Sequence, residues 1–185
     1  KQLRREVRRL EALEAKISAR KLERFSEVYK HIDENFQSTF TELTGGGKAW
    51  LELEKPETVF DGGVSIKARM PRKRLFPVEA LSGGEKSLVS MAFIFAIQRY
   101  DPSPFYLLDE PDQNLDGVNT EHIGRAIALQ SAVAQFLVVS LHHAALREAA
   151  HVIGVFMGDD GVSHLHQIHD VDHFIASLPT EEVAA

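Results

Sequence analysis

The sequence predicts an α/β fold, in which helices flank a largely parallel sheet and one long helix projects at the N-terminus. Two observations support this prediction. After residue 80, short apolar runs alternate with helical segments, which is typical of an α/β layer. Through residues 1–44, apolar residues recur mostly every three or four positions and no Pro or Gly intervenes, so this segment is predicted to form a single helix.

Composition excludes several classes of protein. A chain of 185 residues is long enough for one domain with its own core and an appendage. The sequence contains no Cys, which excludes a disulfide framework and a thiolate metal site. No apolar run approaches the ~18 residues of a membrane span, so we expect a cytoplasmic protein that does not enter a membrane. The net charge of −6 argues against general nucleic-acid binding, so contact with DNA would be local, at basic residues within 1–24 or 69–74.

The N-terminal helix divides by composition. Residues 1–22 are rich in Arg, Glu, Leu and Ala, as in a coiled coil. A helix over residues 1–44 would be about 65 Å long, which is too long to lie wholly on a domain of this size. We therefore expect a coiled-coil arm stub at 1–22 and a globular lobe at 23–185. The alternative is an ordinary long amphipathic helix.

The remaining elements follow from apolar periodicity and from the turn residues between them. Strands are predicted to be buried where a short run is apolar throughout. The predicted elements are strands at 49–53 and 64–68, a loop at 71–77, a helix at 84–99, a buried strand at 105–108, a helix at 118–131, a second buried strand at 136–139, a short helix at 144–150, a hairpin of 152–157 with 162–168, and a helix at 170–178.

Two carboxylates follow the apolar run at 105–108. Asp109 and Glu110 are therefore predicted to lie at the carboxyl end of a strand, where ligands bind in open α/β sheets. An Asp at this place can hold Mg²⁺ beside phosphates, and an adjacent Glu can orient or deprotonate water. The alternative is a solvated acidic pair at a strand end.

Ser82, Gly83 and Gly84 precede the helix at 84–99. Free backbone N–H groups at a helix N-terminus, together with glycines, allow a phosphate to approach closely. Glu85 also fits a capping box with Ser82, which is the structural alternative. No G-x-x-x-x-G-K-[ST] phosphate loop occurs in the sequence. These features therefore predict half of a phosphate-handling site.

Together these motifs resemble those of a known ATPase superfamily. "LSGGEKS" at 81–87 resembles the ABC signature, "FYLLDE" at 105–110 a Walker B strand, and "NLD" at 114–116 a D-loop. The flanking segments "FQSTFTELTGGGKAWLEL" and "FDGGVSI" are similar to the C-terminal lobe of the ATPase head in the structural maintenance of chromosomes (SMC) family. The resemblance runs from about residue 22 to about residue 168.

The resemblance implies an ABC-type head fold and an ATPase that is active only when its site is completed by other parts. It implies ATP and Mg²⁺ as cofactors. The implied partners are the N-terminal Walker A lobe of the same protein, a second SMC head, a kleisin subunit and DNA, in a nucleoid-associated role in chromosome condensation and segregation. The implied site residues are Asp109 for the metal, Glu110 for catalysis, and Ser82, Gly83, Gly84, Glu85, Asn114 and Asp116 for the nucleotide.

The sequence departs from the SMC pattern in three places. Pro111 replaces the usual aliphatic residue, Gln113 replaces a small one, and Leu141 stands where a γ-phosphate-sensing His is expected, unless His142 substitutes for it. Asp-Glu-Pro is instead the pattern of ABC transporters and of several DNA-repair ATPases. Two alternatives therefore remain, a DNA-repair ABC ATPase with coiled-coil arms and a non-catalytic coiled-coil adaptor.

The C-terminal region contains several His residues. His164 and His166 would point to one face of a strand and could hold Zn²⁺. An exposed polar face of an edge hairpin is the favoured interpretation. The last predicted helix either completes the core or, by the SMC resemblance, helps to dock the winged-helix domain of a kleisin.

Overall fold

The structure is a computed structural model that describes residues 2–74, 76–169 and 171–177. The helices are α1 (Gln2–Thr44), α2 (Gly83–Tyr100), α3 (Gly117–Gln130), α4 (His143–Leu146) and α5 (Val171–Ser177), with a 3₁₀ turn at Val78–Ala80. The strands are β1 (Lys48–Leu53), β2 (Val64–Arg69), β3 (Phe76–Pro77), β4 (Phe105–Asp109), β5 (Gln135–Val139), β6 (Val152–Met157) and β7 (Ser163–Ile168).

Helix α1 confirms the prediction of one long N-terminal helix. Its buried residues are confined to the C-terminal end, at Phe36, Thr39, Phe40 and Leu43. The apolar stripe of its first half is exposed, at Leu3, Val7, Leu10, Leu13 and Ile17. The same stripe therefore packs on the lobe at one end of α1 and faces solvent at the other.

The core forms where α2 packs against the C-terminal half of α1. Both helices place aromatic rings in this interface, and Phe36 meets Phe93 edge-to-face with ring centroids 5.7 Å apart. Phe40, Leu88 and Phe95 are fully buried in the same cluster. Helix α3 adds Ile123 to it. This core holds the N-terminus of α2 in place relative to α3.

Strands β1, β2 and β3 form an antiparallel sheet beside α1. Helix α1 also closes the free edge of β1, because the Tyr29 hydroxyl donates to the Leu51 carbonyl at 2.7 Å and the Leu51 N–H donates to Asp33 Oδ1 at 2.6 Å. The prediction of a loop at 71–77 is wrong at its C-terminal end. There, Phe76 and Pro77 form strand β3, which pairs with Ala68 and Lys67 of β2. Strand β2 supplies that pairing, so local sequence does not reveal it.

Strands β4 and β5 form the only parallel pair among the described strands. The predicted parallel pairing is therefore confirmed for β4 and β5, but this sheet is small, and the other paired strands in the described part of the chain are antiparallel. Parallel pairing needs a long crossover connection, and α3 provides one between β4 and β5. The other paired strands are joined by turns or by shorter segments and run antiparallel.

Burial of these two strands on both faces was also predicted, and this is wrong. Phe105 and Leu107 are 61% and 69% exposed, and Leu137 is 47% exposed. Tyr106, Leu108 and Phe136, on the opposite face, are half-buried against the rest of the lobe. An apolar run shows that a face is suited to burial, but the described part of this chain covers only one of the two faces.

The C-terminal region contains the predicted hairpin, in which β6 pairs antiparallel with β7. Helix α4 is shorter than the helix predicted at 144–150. Helix α5 confirms most of the last predicted helix, whose end residues Asp170 and Leu178 lie outside the described residues. None of the helices within the described ranges is both long and apolar enough to cross a membrane.

Candidate functional site

The carboxyl ends of β4 and β5 meet at one edge of their sheet, as predicted for Asp109 and Glu110. Asp109 is the last residue of β4 and is in register with Val139 of β5. The Glu110 N–H continues the ladder by donating to the Val139 carbonyl at 2.9 Å. The two carboxylates therefore lie at the edge where open α/β folds bind their ligands.

Glu110 has an unusual backbone conformation. Its φ is +45°, in the left-handed region that costs a non-Gly residue about 1 kcal/mol or more. A turn holds it there, since the Gln113 N–H donates to the Glu110 carbonyl at 3.2 Å. Strain of this kind is concentrated at functional sites, and here it redirects the chain directly after the strand.

Asp112 is a site residue that sequence reasoning missed. It is 2% exposed, and its Oδ2 accepts a hydrogen bond from the Ser140 Oγ at 2.6 Å. Ser140 directly follows β5, and its Oγ also accepts from the His142 N–H at 3.0 Å. An Asp after Pro in a turn is typical of solvated loops, so the only available signal was that Asp112 and Ser140 follow neighbouring parallel strands.

Ser82 caps α2 in the way the capping-box alternative predicts. The Ser82 N–H donates to Glu85 Oε2 at 3.0 Å, and the Glu85 N–H donates to Ser82 Oγ at 3.4 Å. Lys73 lies 2.7 Å from Glu85 Oε1. The hydrogen bond from Lys73, followed by that from the Ser82 backbone, lowers the pKa of the Glu85 carboxyl. One member of the basic segment at 69–74 therefore supports this helix cap.

The structure brings the segment at 82–84 against the loop that precedes α3. A Cβ added at Gly84 would lie 2.5 Å from the Asn114 carbonyl oxygen, and one at Gly83 would lie 3.9 Å from the Asn114 Cβ. Glycine at position 84 is thus required by a close backbone approach. Asp116 caps α3 by accepting from the Asn119 N–H at 2.8 Å, so this carboxylate has a local structural role.

The metal-binding capacity of the described residues is small. Across residues 2–74, 76–169 and 171–177, no three His, Cys, Asp or Glu side chains converge on a point where a metal ion could bind. A single carboxylate such as Asp109 still suits Mg²⁺, which keeps several waters and takes one or two carboxylates beside phosphate oxygens. A Zn²⁺ site has no such support, and His164 instead lies 3.3 Å from Asp160 Oδ1.

The expected switch residues lie beside the same edge. Leu141 is 80% exposed. His142 is half-buried and is the N-cap residue that precedes α4, with no side-chain capping bond. The His142 N–H donates to the Ser140 Oγ, which in turn donates to Asp112.

Comparison with known proteins identifies the family. Residues 30–164 match the model of the RecF/RecN/SMC N terminal domain. The Chromosome partition protein Smc of Pyrococcus furiosus is 43% identical over 139 residues, which are 75% of this chain and 12% of that protein. The chain therefore spans about an eighth of the length of this relative.

Solved structures agree with this assignment. A chain studied for ATP-driven dimerization and DNA stimulated activation of SMC ATPases is 40% identical with a TM-score of 0.73, over 78% of this chain and 87% of that one. An Smc head domain from Pyrococcus furiosus, with an extended coiled coil and bound to the C-terminal domain of ScpA, is 42% identical with a TM-score of 0.74, over 78% and 36%.

These comparisons support the family and the head, but not the expected choice of lobe. The matching family model is described as an N terminal domain, whereas the signature, Walker B and D-loop resemblances point to a C-terminal lobe. The shared fold, together with identities near 40% over most of this chain, settles the broader question. The chain belongs to the RecF/RecN/SMC family and has the α/β fold of an SMC head with a long N-terminal helix.

Proposed function

We propose that this chain is the C-terminal lobe of an SMC ATPase head and supplies half of a composite ATP site. The observation that carries the proposal is the placement of Asp109 and Glu110 at the carboxyl edge of β4, in a sequence that contains no phosphate loop. Carboxylates at this edge can serve metal and water. The β- and γ-phosphates would need a cradle from another lobe.

The choice of the C-terminal lobe rests on which motifs are present. A Walker A lobe requires G-x-x-x-x-G-K-[ST] after a strand. The only Gly-Lys pair here, Gly47-Lys48, is followed by Ala49 and comes after helix α1. Residues 81–87 and 105–110 instead carry the signature and Walker B resemblances. In this proposal residues 1–22 are the stub of a coiled-coil arm and residues 23–185 form the lobe.

Two residues act on the nucleotide that the completed head itself holds. Asp109 would hold Mg²⁺, which would supply neutralisation of phosphate charge. Glu110 orients the attacking water and takes its proton, which is the task of a general base. The turn at Glu110, with its N–H bonded to the Val139 carbonyl at 2.9 Å, supports this role because it fixes the backbone that carries the carboxylate.

The signature residues act on nucleotide held by a second head. Ser82 offers its hydroxyl, and Gly83 and Gly84 offer backbone N–H groups, at the N-terminus of α2, where the helix dipole favours an anion. Glu85 and Lys73 hold the cap in shape. Asn114 lies against Gly84, and Asp116 follows it, so both are proposed to lie at the interface between the two heads.

The proposed partners follow from this arrangement and from the relatives. ATP would join two heads, as ATP-driven dimerization is described for an SMC ATPase that this chain resembles. An ScpA-type kleisin is proposed because a similar Smc head binds the C-terminal domain of ScpA. DNA is the proposed ultimate substrate, organised in the cytoplasm at the nucleoid through ATP-gated head engagement.

The test is ATP turnover by this chain mixed with the Walker A lobe of the same protein. We expect no turnover by either part alone and slow turnover by the pair. Glu110→Gln should lower turnover by about 10²- to 10⁴-fold and leave a dimer of heads that is stable in ATP. Glu121→Gln, an exposed glutamate on α3, is the matched control and should turn over ATP normally.

Ser82→Arg tests the second-head role. It should leave one ATP bound per head and abolish the dimer, as measured by light scattering. Ser131→Arg, at the exposed C-terminal end of α3, is its control and should dimerise. Equal turnover by the Glu110 and Ser82 variants and the wild type would instead favour the adaptor, in which the capping box at Ser82 is purely structural.

A DNA-repair ATPase with coiled-coil arms remains the second candidate, favoured by Asp-Glu-Pro at 109–111. It predicts the same turnover and the same variant effects. Binding separates the two, because the SMC head should bind an ScpA-type C-terminal domain in a pull-down and the repair ATPase should not.

A further inference from the structure

Asp112 is a buried carboxylate that the proposed mechanism does not use. It lies just beyond Asp109 and Glu110, is 2% exposed, and is among the fully buried side chains of the lobe. A buried charge is costly unless it is hydrogen-bonded. Its Oδ2 accepts a hydrogen bond from the Ser140 hydroxyl at 2.6 Å, which supplies the partner that a buried carboxyl group needs.

This bond joins two loops that leave the same edge of the sheet. Asp112 follows β4 and Ser140 follows β5, and these strands are parallel neighbours. Ser140 Oγ also accepts from the His142 N–H at 3.0 Å, so the same oxygen shapes the turn that leads into α4. The second tie between the loops is the bond from the Glu110 N–H to the Val139 carbonyl at 2.9 Å.

Glu110 lies between these two ties in a strained conformation. Its φ is +45°. A strained backbone of this kind persists only when the surrounding structure prevents it from relaxing to a negative φ. The Glu110 N–H bond anchors one end of the turn, and the Asp112 carboxylate anchors the other. Release of Asp112 from Ser140 would leave the turn attached on one side only.

We propose that Asp112 and Ser140 are positioning residues for Glu110. The hydrogen bond between Asp112 and Ser140 holds the two loops together and keeps the Glu110 carboxylate in place for the chemical step. This inference rests on the proposed function of Glu110. Neither residue touches nucleotide in this account. Their loss should therefore lower kcat and leave the KM for ATP nearly unchanged, because the phosphate-binding groups are untouched.

The experiment measures kcat and KM for ATP in the head reconstituted from this chain and its Walker A lobe. Ser140→Ala should lower kcat about 10- to 100-fold, since small displacements of a catalytic group have effects of this size. Ser140→Thr retains the hydroxyl and should restore most of the activity. Asp112→Asn retains a neutral acceptor and should fall between them. Ser131→Ala, which removes an exposed hydroxyl bonded within α3, is the matched control.

A second measurement needs only this chain. Hydrogen exchange at the Glu110 amide, which is bonded to Val139, should be at least several-fold faster in Ser140→Ala than in the wild type. Exchange at the core amide of Leu88 should be unchanged, which shows that the variant is folded. Faster exchange together with a kcat loss and Thr rescue supports the proposal.

The failures are distinguishable. If the wild-type pair hydrolyses ATP and Glu110→Gln does not, while Ser140→Ala matches the wild type, only the positioning role is overturned. A rise in KM without a fall in kcat also overturns it. If the wild-type pair does not hydrolyse ATP at all, the proposed function fails and this inference fails with it.

Discussion

At the residue scale, Gly84 is constrained by backbone packing rather than by its place in a motif. A Cβ there would meet the Asn114 carbonyl oxygen at 2.5 Å, and a backbone atom cannot swing aside as a flexible side chain can. We expect Gly84→Ala to destabilise the chain by about 1 to 3 kcal/mol, measured by denaturant unfolding. Gly117→Ala has no atom within 4 Å of the added Cβ and should cost much less. Equal losses for the two variants would contradict the contact.

Glu85 allows a prediction on pH dependence. The hydrogen bond from Lys73, and then that from the Ser82 backbone, lower the pKa of the Glu85 carboxyl below its ordinary value of 4.5. A depressed carboxyl pKa gives stability that is present above the unfolded value and is lost as the pH falls through the folded value. The stability difference between wild type and Glu85→Gln should therefore shrink as the pH falls below about 4.5.

Denaturant unfolding across this pH range measures that difference. Lys73→Ala removes the largest cause of the lowered pKa and should weaken the pH dependence. If the stability difference between wild type and Glu85→Gln stays constant as the pH falls, that result would argue against the Lys73–Glu85–Ser82 arrangement.

At the element scale, α1 supplies hydrogen-bond partners to the edge of strand β1. It satisfies both polar groups of Leu51, which is 7% exposed, through Tyr29 and Asp33. Edge strands with unpaired backbone groups invite pairing with other chains. The C-terminal half of α1 therefore protects the edge of the sheet while its N-terminal half extends into solvent.

Removal of one of these bonds gives a test of that role. Tyr29→Phe leaves the Leu51 carbonyl without its partner and should cost about 1 to 2 kcal/mol of unfolding free energy. Tyr100→Phe is the control, because that ring stacks on His31 with centroids 5.9 Å apart and its hydroxyl makes no hydrogen bond within the described residues. A loss at Tyr100 as large as that at Tyr29 would show that the bond to Leu51 is unimportant.

At the scale of the whole molecule, the exposed face of β4 and β5 is suited to contact with the proposed Walker A lobe. Phe105 and Leu107 of β4 and Leu137 of β5 project from it. A parallel pair is ordinarily covered on both faces. The carboxyl edge beside this face carries Asp109 and Glu110, so a lobe bound there would lie next to the two carboxylates proposed to act on ATP.

We expect Leu107→Asp to leave the isolated chain folded, because the side chain is 69% exposed, and to weaken its association with the Walker A lobe at least tenfold. Leu165→Asp, on β7 and 75% exposed, is the matched control and should associate normally. Titration calorimetry of the two lobes measures both. If Leu165→Asp alone weakened the association of the two lobes, the interface would lie on the β6–β7 hairpin instead.

Much of the architecture was predictable from local sequence. The long helix α1, strands β1 and β2, helices α2 and α3 and the β6–β7 hairpin all follow from apolar spacing and turn residues, since these act over a few positions. The same is true of the positions of Asp109 and Glu110 at the end of β4 and of the Ser82–Glu85 capping box. The resemblance of the motifs to those of the SMC family indicated the family to which the comparisons assign the chain.

Other features depend on segments that are distant in sequence. The pairing of β3 with β2, the antiparallel arrangement of most strands and the exposure of one face of β4 and β5 depend on which partner each strand meets. Asp112 finds a hydrogen-bond partner because Ser140 follows the neighbouring strand, and Gly84 is constrained because Asn114 packs beside it. Local sequence thus determined the elements and the ends at which chemistry can occur. The tertiary structure decided which side chains meet there, because those contacts join residues that no local pattern connects.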